Sequence, residues 1–541
     1  MTTGETDVLV IGGGPVGLGL AIDLLQRGVR CMVIEKSAEL HGIPKGQNLT
    51  QRTGEHFQAW GVSREIRKAA PIPRRVGSEG VTAYGSLLGQ WHYPWLRRAS
   101  VREFYAADNE RLPQYCTEQV LRLRFDELAS RHDSSAGYGM LCGWEAEDIH
   151  VTGDGGSASI RNRDDDDHAR IKARFVVGCD GAGSRVRRAV GIEQDVEDHH
   201  KHMALLVFRS TQLDRLLSAF SDKSFFNVLT PELEGYWQFL GRVDLEGNWF
   251  FHAPVPHDAT RETFDFHSYL HRVVGAAFDI EFRHVGFWDL RFSIARDYRD
   301  ATGSAFIVGD AAHSHPPYGG FGINLGFEDA RNLAWKLSAE LQGWGGPSLL
   351  GSYTAERRPV FASTADDFIA RLIREDAAFV RDFNPATDLE AFRAAWTRRA
   401  GDGNAEVSRF CPNYAGSPVV FGEPGAESGA AGIHDHTAQA GFHLSPLALS
   451  GGRSLVDVAG PGFTLVSVNA DVGDVTAIRN AASKAEIPLR IVETERTETT
   501  EKWRARLILM RPDGFVALAS NSLDSDQSAE AVILRASGYS T

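Results

Sequence analysis

The sequence predicts an α/β fold in which a parallel-sheet domain is interrupted by an antiparallel sheet and followed by a smaller C-terminal unit. Buried-strand runs at 7–11 and 29–35 flank a helical segment at 17–27, and this βαβ unit implies a parallel sheet. Aromatic-rich runs between 202 and 255, separated by turn signals, predict the antiparallel sheet. The Gly-rich stretch at 422–432 indicates a linker to the last unit.

Further elements follow along the chain. The predicted strands are at 306–309, 464–468 and 507–510, and the predicted helices are at 324–341 and 366–399. Pro512-Asp513-Gly514 predicts a turn within the last unit.

The composition limits the partners and the compartment. With 71 acidic and 57 basic residues, the formal net charge is −14, which predicts no nucleic-acid partner because such a partner needs a basic face. The 5 cysteines contain no C-x-x-C pair, which favours a reducing cytosol over a disulfide framework. The N-terminus has no secretory pattern, and no run reaches the ~18 apolar residues of a membrane helix. We therefore expect a cytoplasmic protein with no membrane partner.

A glycine-rich motif directly follows the first strand. In Gly12-x-Gly14-x-x-Gly17, the first glycine permits a tight turn and the second lets the backbone approach a pyrophosphate. Gly17 lets the helix pack closely on the sheet, and the helix N-terminus offers free N–H groups to phosphates. Glu35 ends the second strand at the spacing of an acid that binds a ribose hydroxyl. These features predict dinucleotide binding; a glycine-rich turn without a ligand is the alternative.

Several longer motifs carry a family resemblance. GCDGAGSRVR at 178–187 resembles the DG motif of the group A FAD-dependent aromatic hydroxylases, which share the p-hydroxybenzoate hydroxylase fold. GDAAHSHPPYGGFGIN at 309–324 resembles their GD motif, and the segments at 329–337 and 353–359 resemble the helix pair that follows it. The tail motifs, SLVDVAGPGF and RPDGF, resemble the thioredoxin-like domain of the phenol and polyketide hydroxylase branch.

The resemblance implies a domain organisation: a Rossmann-like FAD domain, an inserted antiparallel β-sheet substrate domain and a C-terminal thioredoxin-like domain. The implied FAD-binding segments are 1–80, 111–195 and 295–365, and the implied substrate-domain segments are 81–110 and 196–294. A helical segment and linker at 366–432 then lead to the thioredoxin-like domain at 433–541.

The GD motif also has a direct physical interpretation. Asp310 follows a buried strand, so its carboxylate lies at the strand's C-terminal edge, where it can accept hydrogen bonds from ribityl hydroxyls. Pro316 and Pro317 stiffen the loop, and the absence of side chains at its glycines lets a flat ring lie against the backbone. The helix from Asn324 would face the pyrimidine end of a flavin, and its dipole would stabilise reduced flavin. An ordinary Gly/Pro-rich loop is the alternative.

The cofactor-binding residues expected from the motifs and the resemblance are Gly12, Gly14, Pro15, Val16, Gly17, Glu35, Lys36, Lys45, Gln47, Gln119, Asp180, Gly181, Gly309, Asp310, Pro317, Gly320, Gly322, Ile323 and Asn324. Two of these depart from the family pattern or have an alternative. Lys45 stands where the family usually has Arg, so it keeps the charge but lacks the planar fork. Gln119 is placed near the isoalloxazine by the resemblance, and a surface helix position is its alternative.

The resemblance implies an FAD-dependent monooxygenase that hydroxylates a phenol-like aromatic substrate with NAD(P)H and O2 through a flavin C4a-hydroperoxide. The absence of a second G-x-G-x-x-G motif matches a group in which NAD(P)H binds transiently. The alternatives are a halogenase, a Baeyer–Villiger oxygenase, a leaky oxidase, or a flavoprotein that binds an aromatic molecule without turning it over.

The substrate pocket is expected between the flavin and the aromatic sheet. Strand alternation places Tyr236 and Gln238 on one face, and Phe250 and His252 on one face of their own strand. Tyr236 and His252 are the polar candidates for a phenol, with Pro317 as the third catalytic candidate; the alternative is that Tyr236 and His252 only support the sheet.

Two further expectations concern metals and the C-terminal unit. His313 and His315 have no acidic or Cys partner at ligand spacing, so no metal site is expected. The last cysteine is Cys411, so the C-terminal domain cannot run dithiol chemistry. We expect that domain to be structural, either packing on the core or helping to form a homodimer.

Overall fold

A computed structural model describes residues 2–77, 79–133, 136–402, 405–452, 454–523 and 528–540.

The first sheet combines a parallel half with an antiparallel half. The strand order is Gly139–Cys142, Cys31–Glu35, Thr2–Ile11, His168–Gly178, Gly155–Asn162 and Trp144–Thr152, with Ala305–Ile307 beside the end of His168–Gly178. Strand His168–Gly178 alternates in burial where it pairs with the antiparallel strands and is continuously buried where both neighbours are parallel. The sequence H-A-R-I-K-A-R-F-V-V-G therefore encodes both environments.

Helices cover this sheet and join it to the rest of the chain. They are Pro15–Gln26, Gln51–Trp60, Ser63–Ala69, Arg74–Gly77, Gln114–Ala129 and Arg185–Ala189, and later Gly322–Leu341 and Ser352–Ser363. Two predicted boundaries shift: the first helix begins at Pro15 rather than at 17, and the long helix begins at Gly322 rather than at 324. Proline at the first helical position needs no hydrogen-bonded N–H, so it suits that start.

The second sheet contains the aromatic-rich runs. Its order is His313–Ser314, Glu281–Ala295, Gln194–Arg209, Asn248–Val255, Gln238–Arg242, Phe225–Leu229, Gly80–Tyr84 and His92–Trp95. The sheet is antiparallel except at one pair, because Phe225–Leu229 runs parallel to Gly80–Tyr84. Helices Thr211–Leu216 and Phe266–Val274 belong to the same region, and the second packs on the outer face of the sheet.

The predicted helical segment at 366–399 is a helix pair with an irregular start. A π-helix, Thr364–Ala370, leads into Arg371–Asp382, and Leu389–Asp402 follows a short turn. Two small ladders lie outside the main sheets: Asn48–Leu49 pairs with Glu110–Arg111, and Phe410–Asn413 pairs with Gly429–Ala431 beyond helix Ala405–Ser408.

The C-terminal unit has a four-stranded sheet in the order Leu489–Thr494, Phe463–Val468, Leu507–Met510 and Val516–Ser520. The first two strands are parallel and are joined by helix Val472–Lys484, and the last two form a hairpin. Helices Leu455–Val458 and Ala529–Ala536 complete the unit. This strand–helix–strand, hairpin and helix order is compatible with the expected thioredoxin-like domain.

Two features bear on the expectations about compartment and membrane. All 5 cysteines carry free thiols. Within the described ranges, none of the helices has both the length and the apolar character needed to cross a bilayer.

Candidate functional site

The glycine motif forms a turn whose shape depends on missing side chains. Gly12 has φ +108°, and a Cβ there would lie 2.3 Å from the Cys179 carbonyl oxygen. A Cβ on Gly17 would lie 2.0 Å from the Gly12 carbonyl oxygen. At Gly14 a Cβ would meet no atom within 4 Å, so this position is open rather than packed. The turn therefore leaves room for a phosphate group at the start of helix Pro15–Gln26, as a dinucleotide cofactor requires.

Glu35 lies against the same turn. Its Oε2 accepts a hydrogen bond of 2.7 Å from the Gly13 N–H, and its Oε1 accepts one of 2.8 Å from the Ser37 N–H. The side chain is partly exposed, so its oxygens can also accept bonds from ribose hydroxyls. Lys36 is exposed beside it, and its carbonyl accepts a bond from Arg163.

The DG motif is a helix cap. Asp180 accepts hydrogen bonds from the Ser184 hydroxyl at 2.5 Å and from the Arg185 N–H at 2.6 Å, at the start of helix Arg185–Ala189. Gly181 has φ +80°, which permits the turn. Arg187 then donates to the Ala311 carbonyl at 2.7 Å. The DG segment thus holds the GD segment in place directly.

The start of the GD motif is fixed by a buried carboxylate. Asp329 accepts from the Gly309 N–H at 3.1 Å, is bonded to His313 Nε2 at 2.7 Å, and accepts from Arg357 Nε at 2.6 Å. Burial would raise the pKa of Asp329, but Arg357 and His313 lower it below its usual value. His313 is therefore part of the scaffold of this loop.

Asp310 and Lys45 are solvent-exposed charged groups beside the start of the GD loop, which lies next to the glycine turn at Gly309 and Val16. The space beside these two segments is called the cleft below. Asp310 is solvent-accessible within the cleft, yet the surrounding protein desolvates it and raises its pKa, an effect that His313 and Lys45 oppose. Lys45 is exposed. The Asp310 carboxylate can accept hydrogen bonds from a hydroxyl donor in the cleft, and its contact with ribityl hydroxyls stays a prediction.

The loop from 316 to 322 is shaped by backbone. Pro317 is exposed, and Gly319 and Gly320 have φ +69° and +71°. A Cβ on Gly320 would lie 3.0 Å from Asn48 Cβ. The N–H groups of the first helical turn, from Gly322 onwards, precede the first intrahelical bond. They are the donors that would face a flavin ring or another electron-rich group.

The Asn324 side chain has a scaffold role. It accepts from the Thr50 N–H at 2.9 Å and the Thr53 hydroxyl at 2.6 Å, and it donates to the Asn48 and Gly320 carbonyls at 2.8 and 2.6 Å. Its expected cofactor contact would therefore come from its backbone N–H. Neighbouring Ile323 packs against Gly46.

The glutamines at positions 47, 114 and 119 differ in their burial and in their contacts with the segment after Glu35. Gln119 lies exposed on helix Gln114–Ala129, whereas Gln114, at the start of that helix, accepts a hydrogen bond of 3.3 Å from the Gly46 N–H. Gln47 is buried, and none of the described residues forms a hydrogen bond with its Oε1. The sequence motifs did not indicate Gln114, because only the fold brings it close to Gly46.

One face of the second sheet forms an aromatic wall, made up of Trp95, Phe225, Phe239, Phe250 and Trp288. The first four of these rings contact one another, with centroids 5.5 Å apart for Phe239 and Phe250, and the Trp288 ring lies 6.4 Å from the His252 ring. The wall packs on the GD loop through Tyr318, which lies 5.8 Å from the Trp95 ring. The aromatic wall and the GD loop are therefore neighbours.

A polar row crosses this wall. Thr82 is opposite Asn227, Asn227 is opposite Phe239, and Phe239 is opposite His252. Thr82 Oγ1, Asn227 Oδ1 and His252 Nδ1 are buried without a hydrogen-bond partner among the described residues. Burying a polar atom unpaired costs about 1–3 kcal/mol, so a row of three indicates a ligand or ordered water.

His252 and Tyr236 differ in whether their polar side-chain atoms are available to bind a ligand. Burial lowers the pKa of His252 to about 4, so the imidazole is neutral at pH 7. Tyr236 precedes strand Gln238–Arg242, so the predicted alternation does not reach it, and Gln238 faces the opposite core beside Tyr269. The Tyr236 hydroxyl is already paired with His199 Nδ1 at 2.9 Å.

Asn227 and Thr82 were missed at the sequence level. Asn227 is the one polar residue of the run F-F-N-V-L, all of which is buried. A lone amide in a continuously buried strand needs a partner, so this pattern could have identified Asn227 from the sequence. Thr82 offered no such signal, since threonine is common in strands.

A separate cavity of about 80 Å³ lies between the start of helix Gly322–Leu341 and the C-terminal unit. Its apolar lining includes Val101, Phe104, Phe410 and Phe515. Ligand pockets usually measure about 300–1,000 Å³, so the volume of this cavity lies well below that range.

Comparison with known proteins agrees with this geometry. Residues 5–367 match the family model of the FAD binding domain. A putative polyketide hydroxylase of Streptomyces halstedii is 31% identical, over 96% of this chain and 94% of that protein. A 4-methyl-5-nitrocatechol 5-monooxygenase of a Burkholderia species is 28% identical, over 97% and 96%. The solved structure of the rebeccamycin biosynthetic enzyme RebC with reduced flavin has a TM-score of 0.81 at 26% identity, with 100% of both chains covered.

Proposed function

The chain belongs to the family of the FAD binding domain and is an FAD-dependent monooxygenase of the aromatic hydroxylase group, and we propose that it hydroxylates a multi-ring phenol bound along the polar row. The observation that carries this proposal is the set of three buried polar atoms on the aromatic wall that have no hydrogen-bond partner among the described residues. FAD fits the glycine turn, and when bound it supplies the redox chemistry that activates O2.

The spacing of the row supports a substrate with more than one ring. Neighbouring strands lie about 4.8 Å apart, so the backbones of Asn227 and His252, two strands apart, are separated by about 10 Å. A fused-ring phenol can reach both groups with separate hydroxyl or carbonyl substituents. A single-ring phenol can pair with one of them and would leave the other unsatisfied.

His252 would hold a substrate hydroxyl rather than deprotonate it. A phenol has a pKa near 10, and transfer of its proton to an imidazole of pKa about 4 is unfavourable by roughly 8 kcal/mol. A neutral imidazole nitrogen can still accept a hydrogen bond from the phenol, which makes the ring more electron-rich. Pro317, at the edge of the GD loop, would contact the substrate ring from the cleft side.

The electron donor in this proposal is NAD(P)H. The glycine turn with Glu35 is a site for the adenosine part of FAD, and no second G-x-G-x-x-G motif is present in the sequence. Transient binding of NAD(P)H near the DG segment accounts for both facts. The free thiols favour a cytoplasmic location, and a homodimer remains a prediction.

The test is NAD(P)H oxidation with product mass across matched single-ring and fused-ring phenols. We expect incorporation of one oxygen atom into a fused-ring phenol, with tighter binding than its single-ring counterpart. Chlorination, a ring-expanded ester, or hydrogen peroxide as the sole product would instead support the alternative flavin chemistries.

Two variants of the row and one control variant connect the activity to the row. Asn227→Leu and His252→Gln should raise the fraction of NAD(P)H that is lost to hydrogen peroxide, while FAD content stays unchanged. Gln238→Leu is the matched control, because Gln238 also has a buried, unpaired oxygen but faces the opposite core. If all three variants couple like the wild type, the substrate binds elsewhere.

A further inference from the structure

The outer face of the second sheet, away from the aromatic wall, holds a cluster that the monooxygenase reaction does not use. It consists of His202, His257 and Asp289, whose potential ligand atoms all lie within 4.8 Å of one another. His202 is partly buried, and the other two residues are exposed. We call these three residues the histidine cluster.

Strand pairing and the turn that follows strand Asn248–Val255 bring the cluster together. His202 is opposite Asp289 on one side and opposite Val255 on the other, and His257 follows two residues after Val255. His202 and Asp289 therefore share a face of two paired strands, and His257 lies in the turn that follows the third strand, Asn248–Val255. Sequence spacing could not reveal this, since the residues are up to 87 positions apart.

Existing contacts orient the cluster while leaving donor atoms available. His202 Nδ1 lies 2.9 Å from Asp289 Oδ1, and its ring stacks on Phe287 with centroids 5.3 Å apart. His257 Nε2 is paired with the His200 carbonyl at 3.1 Å, which leaves its Nδ1 as the available nitrogen. Bonding of one ring nitrogen while the other binds an ion is the usual arrangement for a histidine ligand.

The donor set determines the ion. Two imidazoles and one carboxylate suit Zn²⁺ and its neighbours Co²⁺, Ni²⁺ and Cu²⁺, whereas Mg²⁺ and Ca²⁺ prefer oxygen ligands throughout. Ligand distances near 2.1 Å require adjacent donors to approach to within about 4 Å, so small side-chain rotations must accompany binding. Arg291 competes for Asp289 through its other oxygen at 3.4 Å, which will weaken the site.

We propose that the histidine cluster binds one divalent transition-metal ion, with Zn²⁺ as the best fit. The ion links two paired strands to the turn after a third, where the pairing of Gln194–Arg209 with Glu281–Ala295 is interrupted between Asp198 and His202. With three protein ligands, the remaining position is open to water. The site is structural and is separate from the flavin cleft.

The test uses tag-free holoenzyme, treated with EDTA and desalted, and titrated calorimetrically with ZnCl2 alone. We expect one equivalent to bind to the wild type, at least tenfold weaker binding in Asp289→Asn, and no saturable binding in His257→Ala. His150→Ala is the control, since His150 is an exposed strand histidine of the first sheet. MgCl2 should produce no saturable signal.

Two further readouts make the result decisive. Co²⁺ should give the visible absorption of a low-coordinate N/O site in the wild type and not in His257→Ala. FAD content and the zinc-free melting temperature should be equal in both proteins, because His257 is exposed. Absence of zinc binding in the wild type, or equal binding in His257→Ala, overturns the proposal.

Discussion

Two buried polar regions of this molecule differ in whether their partners are supplied by the protein. The first is the junction between the FAD domain and the C-terminal unit, where the side chains of Lys336, Glu356, Arg511 and Asp513 are all 0% exposed. Glu356 accepts two bonds from Arg511, at 2.6 and 2.9 Å, and one from Lys336 at 2.7 Å. Arg511 also pairs with Asp513 at 2.5 Å. Every one of these charges has an opposite charge in contact.

The second region is the polar row of the aromatic wall, where Thr82, Asn227 and His252 each have a buried atom that finds no partner within the described part of the chain. The difference separates two uses of buried polarity. Fully paired groups specify how two units of the chain fit together, whereas unpaired groups retain their binding capacity for a ligand. This comparison supports the expectation that the C-terminal unit is structural.

The largest effect should come from breaking the junction. Glu356→Gln keeps the size of the side chain but removes the charge that compensates Arg511 and Lys336. Burial would raise the pKa of Glu356, yet these two cations hold it far below its usual value, so the ionised form is the stabilising one. Loss of one partner of a buried ion pair costs about 3–5 kcal/mol. A large drop in the denaturant midpoint is expected.

The control for this variant is Glu375→Gln, which breaks the exposed contact of Glu375 with Arg371 at 3.7 Å. Exposed pairs contribute at most about 1 kcal/mol, so its midpoint should hardly move. Equal midpoints for the two variants would show that the junction does not stabilise the fold.

The second prediction uses pH to reveal the unpaired state of His252. Its folded pKa of about 4 lies below the unfolded value of about 6.5, so the unfolded chain binds the proton first as the pH falls. The contribution of His252 to the free energy of unfolding is therefore fully present above pH ~6.5. As the pH falls from ~6.5 towards ~4, the free energy of unfolding decreases by up to about 3 kcal/mol because of this group. Denaturant midpoints from pH 7.5 to 4.5 should fall less in His252→Gln than in the wild type.

The comparison variant for this series is His150→Gln, which removes an exposed histidine. His315, whose pKa burial also lowers to about 4, is present in all three proteins and cancels from the comparison. Parallel curves for the wild type and His252→Gln would mean that His252 is protonated or paired in the native state.

The parts of this site that were predictable from sequence are those encoded by local backbone. The glycines at 12 and 17 and the GD loop could be recognised because their conformations exclude side chains whatever the tertiary context. The family resemblance then supplied the order of the domains. Strand identities in the aromatic sheet were also predictable, since period and composition determine them.

The remaining features depend on pairing between distant strands. Asn227 and His252 face the same side only because of the register of three strands, and Tyr236 lost its predicted place when the strand began two residues later. The parallel pair in the sheet joins residues about 145 positions apart, which no local pattern reports. The network around Glu356 likewise joins two motifs that sequence could only recognise separately.

The third prediction separates cofactor binding from folding at the glycine turn. Gly14→Ala meets no protein atom, so the apoprotein should fold with nearly wild-type stability, while the added methyl group enters the space for phosphate. A weakening of FAD binding by at least about tenfold, or 1.4 kcal/mol, is expected by equilibrium titration. Gly17→Ala is the contrast, since its methyl group would overlap the Gly12 carbonyl and lower stability itself. If Gly14→Ala retains FAD like the wild type, the phosphates do not approach this residue.

The smallest effect should come from Tyr236→Phe, because the Tyr236 hydroxyl already has its partner. It is paired with His199 at 2.9 Å, and Lys201 covers its ring at 5.0 Å, so neither group is free for a substrate. Loss of one such hydrogen bond costs about 1 kcal/mol of stability. Coupling of NAD(P)H oxidation to hydroxylation should change less than in His252→Gln, measured with the same fused-ring phenol. If Tyr236→Phe uncouples the reaction more than His252→Gln does, then the substrate displaces His199 from Tyr236, and an intramolecular partner does not by itself distinguish scaffold from binding site.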